Sequence, residues 1–314
     1  MSSPILTSSL RPPPPPPTLS PSHPFPDLSA DITSIDPLPR AQGSFSDLHK
    51  GMLAHGIPVA IKIFRVCNDD DANIPILEHY RREVQAHELL GHNHQHFVKF
   101  LGVATIGRRP AIIMKWYENG NTTQYLHLNP HASARRYALD IVKGIKSLHT
   151  HNSPITHGDL KATNIVVDDD GNILLADLGS ARIVNDTAVT AANVGGSCRF
   201  MAPEMFPTIV DDDTQSPQPT LASDIWSLGC TIAEIITFKK PYHTRRSHSQ
   251  VVCSIANGIL PYTEVNFTND CIREGIAEYK DIWQVLEKCW VMDPALRPTI
   301  VEFEGLVENL FGAY

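Results

Sequence analysis

Cysteine is scarce in this 314-residue chain, and its placement excludes more than it suggests. The six, at positions 67, 198, 230, 253, 271 and 289, contain no CxxC pair. That argues against a zinc site or a disulfide framework and fits reduced thiols in the cytoplasm or the nucleus. No run of 18 apolar residues is present, so no membrane span is expected. The first residues are rich in Ser and Pro rather than apolar, which is unlike a secretory leader. Charged residues make up 19%, with a formal net charge of -8 and no basic stripe. A nucleic-acid partner is therefore disfavoured.

What the chain does have is 42% hydrophobic residues, enough for one large or two modest domains, and 25 prolines. Residues 1–26 read as a disordered Pro-rich tail. Within it Pro12 to Pro17 form an unbroken run, which favours polyproline II because proline donates no backbone hydrogen bond. Arg11 followed by Pro14 and Pro17 resembles a ligand for proline-reading domains; a tail with no partner is the plainer reading.

The densest chemistry lies in His157 to Gly179, HGDLKATNIVVDDDGNILLADLG. Ile165 to Val167 and Ile173 to Leu175 are two β-prone runs, and Asp170-Gly171 between them signals a hairpin. With those two as the turn, Asn164 lies opposite Asp177 at the open end. An amide oxygen and a carboxylate converging there suit magnesium, which takes oxygen ligands. Asp159 and Lys161 lie just upstream, a carboxylate to act as base and a cation. Together they form a phosphoryl-transfer layout; a surface hairpin rich in Asp is the bland alternative.

This stretch resembles the catalytic and magnesium loops of a eukaryotic protein kinase, and further landmarks follow in order. Gly43-Ser44-Phe45, with Leu48 beyond, resembles the glycine-rich loop that closes over phosphates. Only one of three expected glycines remains, with Ala41 and Ser46 at the other positions. Val59-Ala60-Ile61-Lys62 follows; strand alternation puts Ala60 and Lys62 on one face. Residues 75–90 read as an amphipathic helix, and its Glu83 aligns with the glutamate that pairs with that lysine. His92, His94 and His96 alternate before a strand and read as loop residues rather than metal ligands. Lys115-Trp116-Tyr117 resembles the hinge whose backbone receives adenine, with Met114 as gatekeeper. Apolar spacing through Tyr137, Ile141, Ile145 and Leu148 gives a second helix over 132–150. Ala202-Pro203-Glu204 resembles the end of an activation segment, within which Thr187, Thr190 and Ser197 are either phosphorylation sites or ordinary loop hydroxyls. Residues 207–219 read as a loop insertion. Asp224 opens an apolar helix running to Phe238, and Cys289-Trp290, Asp293-Pro294 and Arg297-Pro298 match the closing signature. The chain stops soon after, and no C-terminal module is expected.

The resemblance implies an α+β, two-lobed fold: a small antiparallel-sheet lobe with one helix over 27–118 and a larger, mainly helical lobe over 119–314. It is closest to the tyrosine-kinase-like group and similar to HGDLK-type kinases of fungi. Lys161 points to serine and threonine as acceptors. The resemblance further implies ATP as phosphoryl donor, bound by Gly43, Ser44, Phe45, Leu48, Ala60, Lys62, Met114, Trp116, Tyr117 and Val166. Magnesium, with manganese as substitute ion, would sit on Asn164 and Asp177. Lys62 held by Glu83 orients phosphates, Asp159 accepts the hydroxyl proton, and Lys161 stabilises charge. Asp224 would hold the backbone of the catalytic loop, and Arg297 would pair with Glu204. Protein substrates carrying Ser or Thr are the implied partners. Three departures stand out: Gly158 where an arginine is usual, Leu178 where a phenylalanine is usual, and the thinned glycine loop. The last motivates a second reading, a nucleotide-binding scaffold with little or no transfer.

Overall fold

A computed structural model describes residues 25–67, 70–91, 94–129, 132–184, 197–206, 217–273 and 277–311. Pro12–Pro17, His92, Thr187, Thr190 and most of the 207–219 insertion lie outside these residues. The small lobe is built from β-branched and aromatic runs, which favour pleated strands. Strands β1 (Ile32–Ile35), β2 (Ala41–Gln42), β3 (Ser46–Leu53), β4 (Ile57–Phe64), β5 (Phe100–Ile106) and β6 (Arg109–Lys115) form one sheet. All pairs are antiparallel, in the order β1-β3-β4-β6-β5 with β2 also on β3. Alternation along β4 divides the core: Val59, Ile61 and Ile63 pack on one side of the sheet, Ala60 and Phe64 on the other.

Helix α1 (Asp70–Leu90) covers that second side. It begins ahead of Pro75, where the sequence suggests it starts. Proline is tolerated near a helix N-terminus at the loss of one backbone bond. Phe25 and Pro26, read from the sequence as tail, belong to this lobe. Phe25 is buried with its ring 4.2 Å from that of Phe100, and Pro26 O accepts from Val103 N at 3.0 Å. An aromatic side chain seated in a groove outweighs the disorder that Pro-rich composition suggests.

The large lobe holds α2 (Thr122–Leu128), α3 (Ala134–His149), α4 (Leu221–Thr237), α5 (His248–Ala256), α6 (Glu264–Arg273), α7 (Trp283–Leu286) and α8 (Ile300–Phe311). Short strands β7 (Ile155–Thr156) and β10 (Arg182–Ile183) pair, as do β8 (Ile165–Val167) and β9 (Ile173–Leu175). Helix α4 is apolar on nearly every face and buried accordingly. It starts where Thr220 and Ser223 cap each other's backbone. Helix α3 starts at the Ser133 cap and packs between α4, α8 and β9. This α+β, two-lobed architecture is the one the motifs imply.

Candidate active site

The β8–β9 hairpin positions the large-lobe half of the site, but in a register one residue away from the expected one. Ile165 pairs with Leu175 and Val167 with Ile173. The Asp168 carboxylate accepts from Asp170 N at 2.9 Å and Asn172 N at 2.7 Å. That Asx-type closure favours a wider turn, with Gly171 at φ 78°, over the two-residue turn. Asn164 therefore faces Ala176, whose N–H donates to Asn164 O at 2.9 Å, and not Asp177. Asp177 comes one residue later in a left-handed conformation, φ 61°, and reaches across the cleft.

Before the hairpin, Asp159 sits in a mesh of donors. Its Oδ2 accepts from Lys161 Nζ at 2.7 Å and from Asn164 Nδ2 at 3.0 Å. Lys161 Nζ also donates to Ser197 Oγ at 2.8 Å, joining the catalytic loop to the far end of the long polar segment. Asp224, buried at the start of α4, accepts from the backbone of His157 at 2.7 Å and of Gly158 at 2.9 Å. Gly158 has φ 77°, and a Cβ there would lie 2.5 Å from Ser180 O. In this chain that close approach leaves no room for a side chain at 158 without a backbone shift.

The small-lobe half centres on Lys62. Its Nζ donates to Glu83 Oε2 at 2.7 Å and to Asp177 Oδ1 at 2.6 Å. Burial alone would lower the ammonium's pKa, yet the two carboxylates hold it well above its ordinary value. For Asp177 burial works upward, and Lys62 more than offsets it, keeping the carboxyl well below the usual range. Burial pushes Glu83 up to about 7 against the pull of Lys62. His79, one turn before Glu83 on α1, is lowered to about 4 by burial and then by Lys62, so it is neutral at pH 7.

A cavity of about 500 Å³ runs between the lobes and is lined by Gly43, Ser44, Phe45, Lys62, Asp159, Lys161, Asp177 and Ser197, among others. The remaining nucleotide candidates form an adjoining apolar cluster. In it Ala60, Met114 and Tyr117 are buried and Leu48, Trp116 and Val166 pack against them. Leu178 is fully buried, doing the packing work of the larger residue usual at its place.

The protein kinase domain model matches residues 41–307. This chain belongs to the protein kinase family. It is similar to the serine/threonine-protein kinase STY17 of Arabidopsis thaliana, 28% identical over 86% of this chain and 43% of that protein. Wall-associated receptor kinase-like 10 is 32% identical over 86% of this chain and 35% of its own length. Serine/threonine-protein kinase CTR1 is 26% identical over 85% of this chain and 30% of its own length. Both are from the same plant. The chain spans less than half the length of these curated relatives.

The buried histidines of the kinase domain carry a pH dependence. His87 is lowered to about 3 by burial and then by Lys62, and His157 is lowered chiefly by burial. An unfolded histidine titrates near ~6.5, so below that pH the unfolded chain binds more protons. Stability therefore falls as pH drops from about 6.5, by up to ~1.4 kcal/mol per pH unit for each histidine. Glu83, raised to about 7 in the folded state, works in the opposite sense and offsets part of this loss. Denaturant midpoints are expected to be lower at pH 5 than at pH 7, with His87→Gln narrowing the gap; equal midpoints in the parent chain would contradict this.

No sequence motif includes His79 or Arg65: His79 lies one turn before Glu83 on α1, and Arg65, just past β4, donates to the carbonyls of Gly43, Ser44 and Ser46.

Proposed function

We propose that the chain transfers the γ-phosphoryl group of ATP to serine or threonine hydroxyls of protein substrates, with magnesium as the accompanying ion. The observation that carries this reading is the Lys62 ammonium bridging Glu83 of α1 and Asp177 of the large lobe. An ion pair spanning the cleft assembles the two halves of a phosphate site, and burial keeps its charges from being screened.

The roles follow from geometry and charge. Lys62, held in the cationic form, orients phosphate oxygens. Asp159 is positioned by Lys161 and Asn164 to align an incoming hydroxyl and take its proton. Lys161 lies between Asp159 and Ser197, where it can neutralise charge on the transferring group. Asn164 commits its Nδ2 to Asp159, which leaves its amide oxygen for a cation. With the Asp177 carboxylate this is the hard oxygen set that magnesium takes, and manganese suits the same donors. The ion's contribution is to neutralise charge developing on the phosphates. Apart from proton acceptance by Asp159, the remaining elements of catalysis here are positioning and preorganised charge. Among the described residues no cysteine is in a disulfide, which supports a reducing compartment, cytoplasm or nucleus.

The test is incubation with γ-labelled ATP, magnesium and a generic basic protein, followed by phosphoamino-acid analysis. Label on serine or threonine is expected. Label confined to tyrosine, or no label on either the substrate or the chain itself, would sink the reading.

A further inference from the structure

The glycine-rich loop has lost two of its three glycines, and the remaining one does not hold it in shape. Gly43 has no left-handed φ, and a Cβ added there would meet Ser46 O at an ordinary 3.5 Å. Something other than glycine's freedom must fix this turn.

Arg65 supplies it. Its Nη2 donates to Gly43 O at 2.5 Å and Ser44 O at 2.6 Å. Its backbone N–H donates to Phe45 O at 2.9 Å. Its Nη1 donates to Ser46 O at 3.1 Å and to the Asp47 carboxylate at 2.6 Å. One residue thus satisfies four successive carbonyls of the loop. Guanidinium is suited to this because its donors are fixed in a plane, which a lysine ammonium cannot reproduce.

The direction of those bonds matters for the chemistry. A trans peptide unit points its C=O and N–H opposite ways. Drawing the carbonyls of Gly43 and Ser44 toward Arg65 turns the N–H groups of Ser44 and Phe45 away from it. The loop lines the cavity, whereas Arg65, which follows Phe64 at the end of β4, is not among the lining residues and so lies on the loop's other side. The amides are therefore presented to the cavity, in the manner of backbone concavities that bind anions. At its tip, Phe45 rests on His79 of α1, ring centroids 4.7 Å apart.

We propose that Arg65 is a positioning residue for nucleotide phosphates: it clamps a glycine-poor loop from behind so that its amides face the phosphate chain. This rests on the kinase reading above. Arg65 touches no substrate and acts only through the loop.

The experiment compares binding of ATP, ADP and adenosine to the parent chain, Arg65→Ala and Arg65→Lys by calorimetry, alongside steady-state kinetics. Arg65→Ala is expected to weaken ATP and ADP about tenfold, the equivalent of ~1.4 kcal/mol, and to leave adenosine unchanged. KM for ATP should rise by the same factor with kcat and the protein-substrate KM nearly constant. Arg65→Lys, which keeps the charge but not the fork, should recover only part of the loss. A general loosening of the small lobe would weaken adenosine equally and would overturn the proposal, as would wild-type ATP affinity in Arg65→Ala. A parent chain that binds no ATP would instead remove the kinase reading itself and this proposal with it.

Discussion

Asp159→Asn is expected to lower phosphate transfer by about 10²–10⁴-fold, with ATP affinity and the thermal midpoint close to those of the parent chain. The substitution keeps shape and volume and removes one charge. Lys161 Nζ, 2.7 Å from Asp159 Oδ2, still has Ser197 Oγ at 2.8 Å as a partner. Asn164 Nδ2 still has the backbone carbonyl of residue 159 at 2.9 Å. The loop below is held by Asp224 through the backbone of His157 and Gly158, which the change does not touch. The fold therefore has no reason to move, and the loss falls on the acceptance of the hydroxyl proton.

The measurement is single-turnover transfer beside calorimetric ATP binding. An effect on kcat with KM for ATP unchanged is the signature of a group used in the transition state. Transfer by the variant at near-parent rates would remove Asp159 from that role. Lys62→Met makes the contrasting control. It breaks the pair with Glu83 and Asp177, so it should affect both nucleotide affinity and rate.

The residues that meet across the cleft were legible because each sits in a short ordered pattern. Lys62 closes an alternating strand, Glu83 lies on a helical face, and Asp159, Lys161, Asn164 and Asp177 fall in one stretch. Their contacts across the chain, such as Glu204 with Arg297, followed from the resemblance. The hairpin register did not follow from sequence, because the Asp168 carboxylate competes for the turn's N–H groups and Asp-Gly alone does not rank a two-residue turn against a wider one. Phe25 reads as part of the tail for a similar reason. Composition reports what a segment prefers in isolation, whereas the groove beside Phe100 exists only once α1 and β5 have met. Arg65 is not legible in the sequence because all but one of its partners, the Asp47 carboxylate, are carbonyl oxygens, which every residue carries and no pattern of side chains records.

Arg297→Met is expected to destabilise the folded chain by about 3–5 kcal/mol, lowering the thermal midpoint on the order of 10 °C. The Arg297 side chain is fully buried and grips both oxygens of Glu204, at 2.6 and 2.8 Å. It also donates to Val291 O and Ala222 O, each at 2.9 Å, and lies over the Trp226 ring at 5.1 Å. Removing it leaves a carboxylate and three carbonyls, those of Ala222, Val291 and Met292, without the guanidinium N–H groups they shared, and unpaired buried acceptors carry the full desolvation penalty. Glu204 keeps some access to water, its side chain being 24% exposed, so Glu204→Gln should cost clearly less. The double variant Glu204→Gln with Arg297→Met should lose less than the sum of the two, since the second change removes a partner already lost. Glu204 closes the segment whose Ser197 end meets Lys161, so the untethered variants should also lose transfer activity in proportion to how far that segment loosens. A loss below about 1 kcal/mol for Arg297→Met in denaturant melts would mean the pair is no stronger than a surface ion pair, and that the end of the segment is held by packing alone.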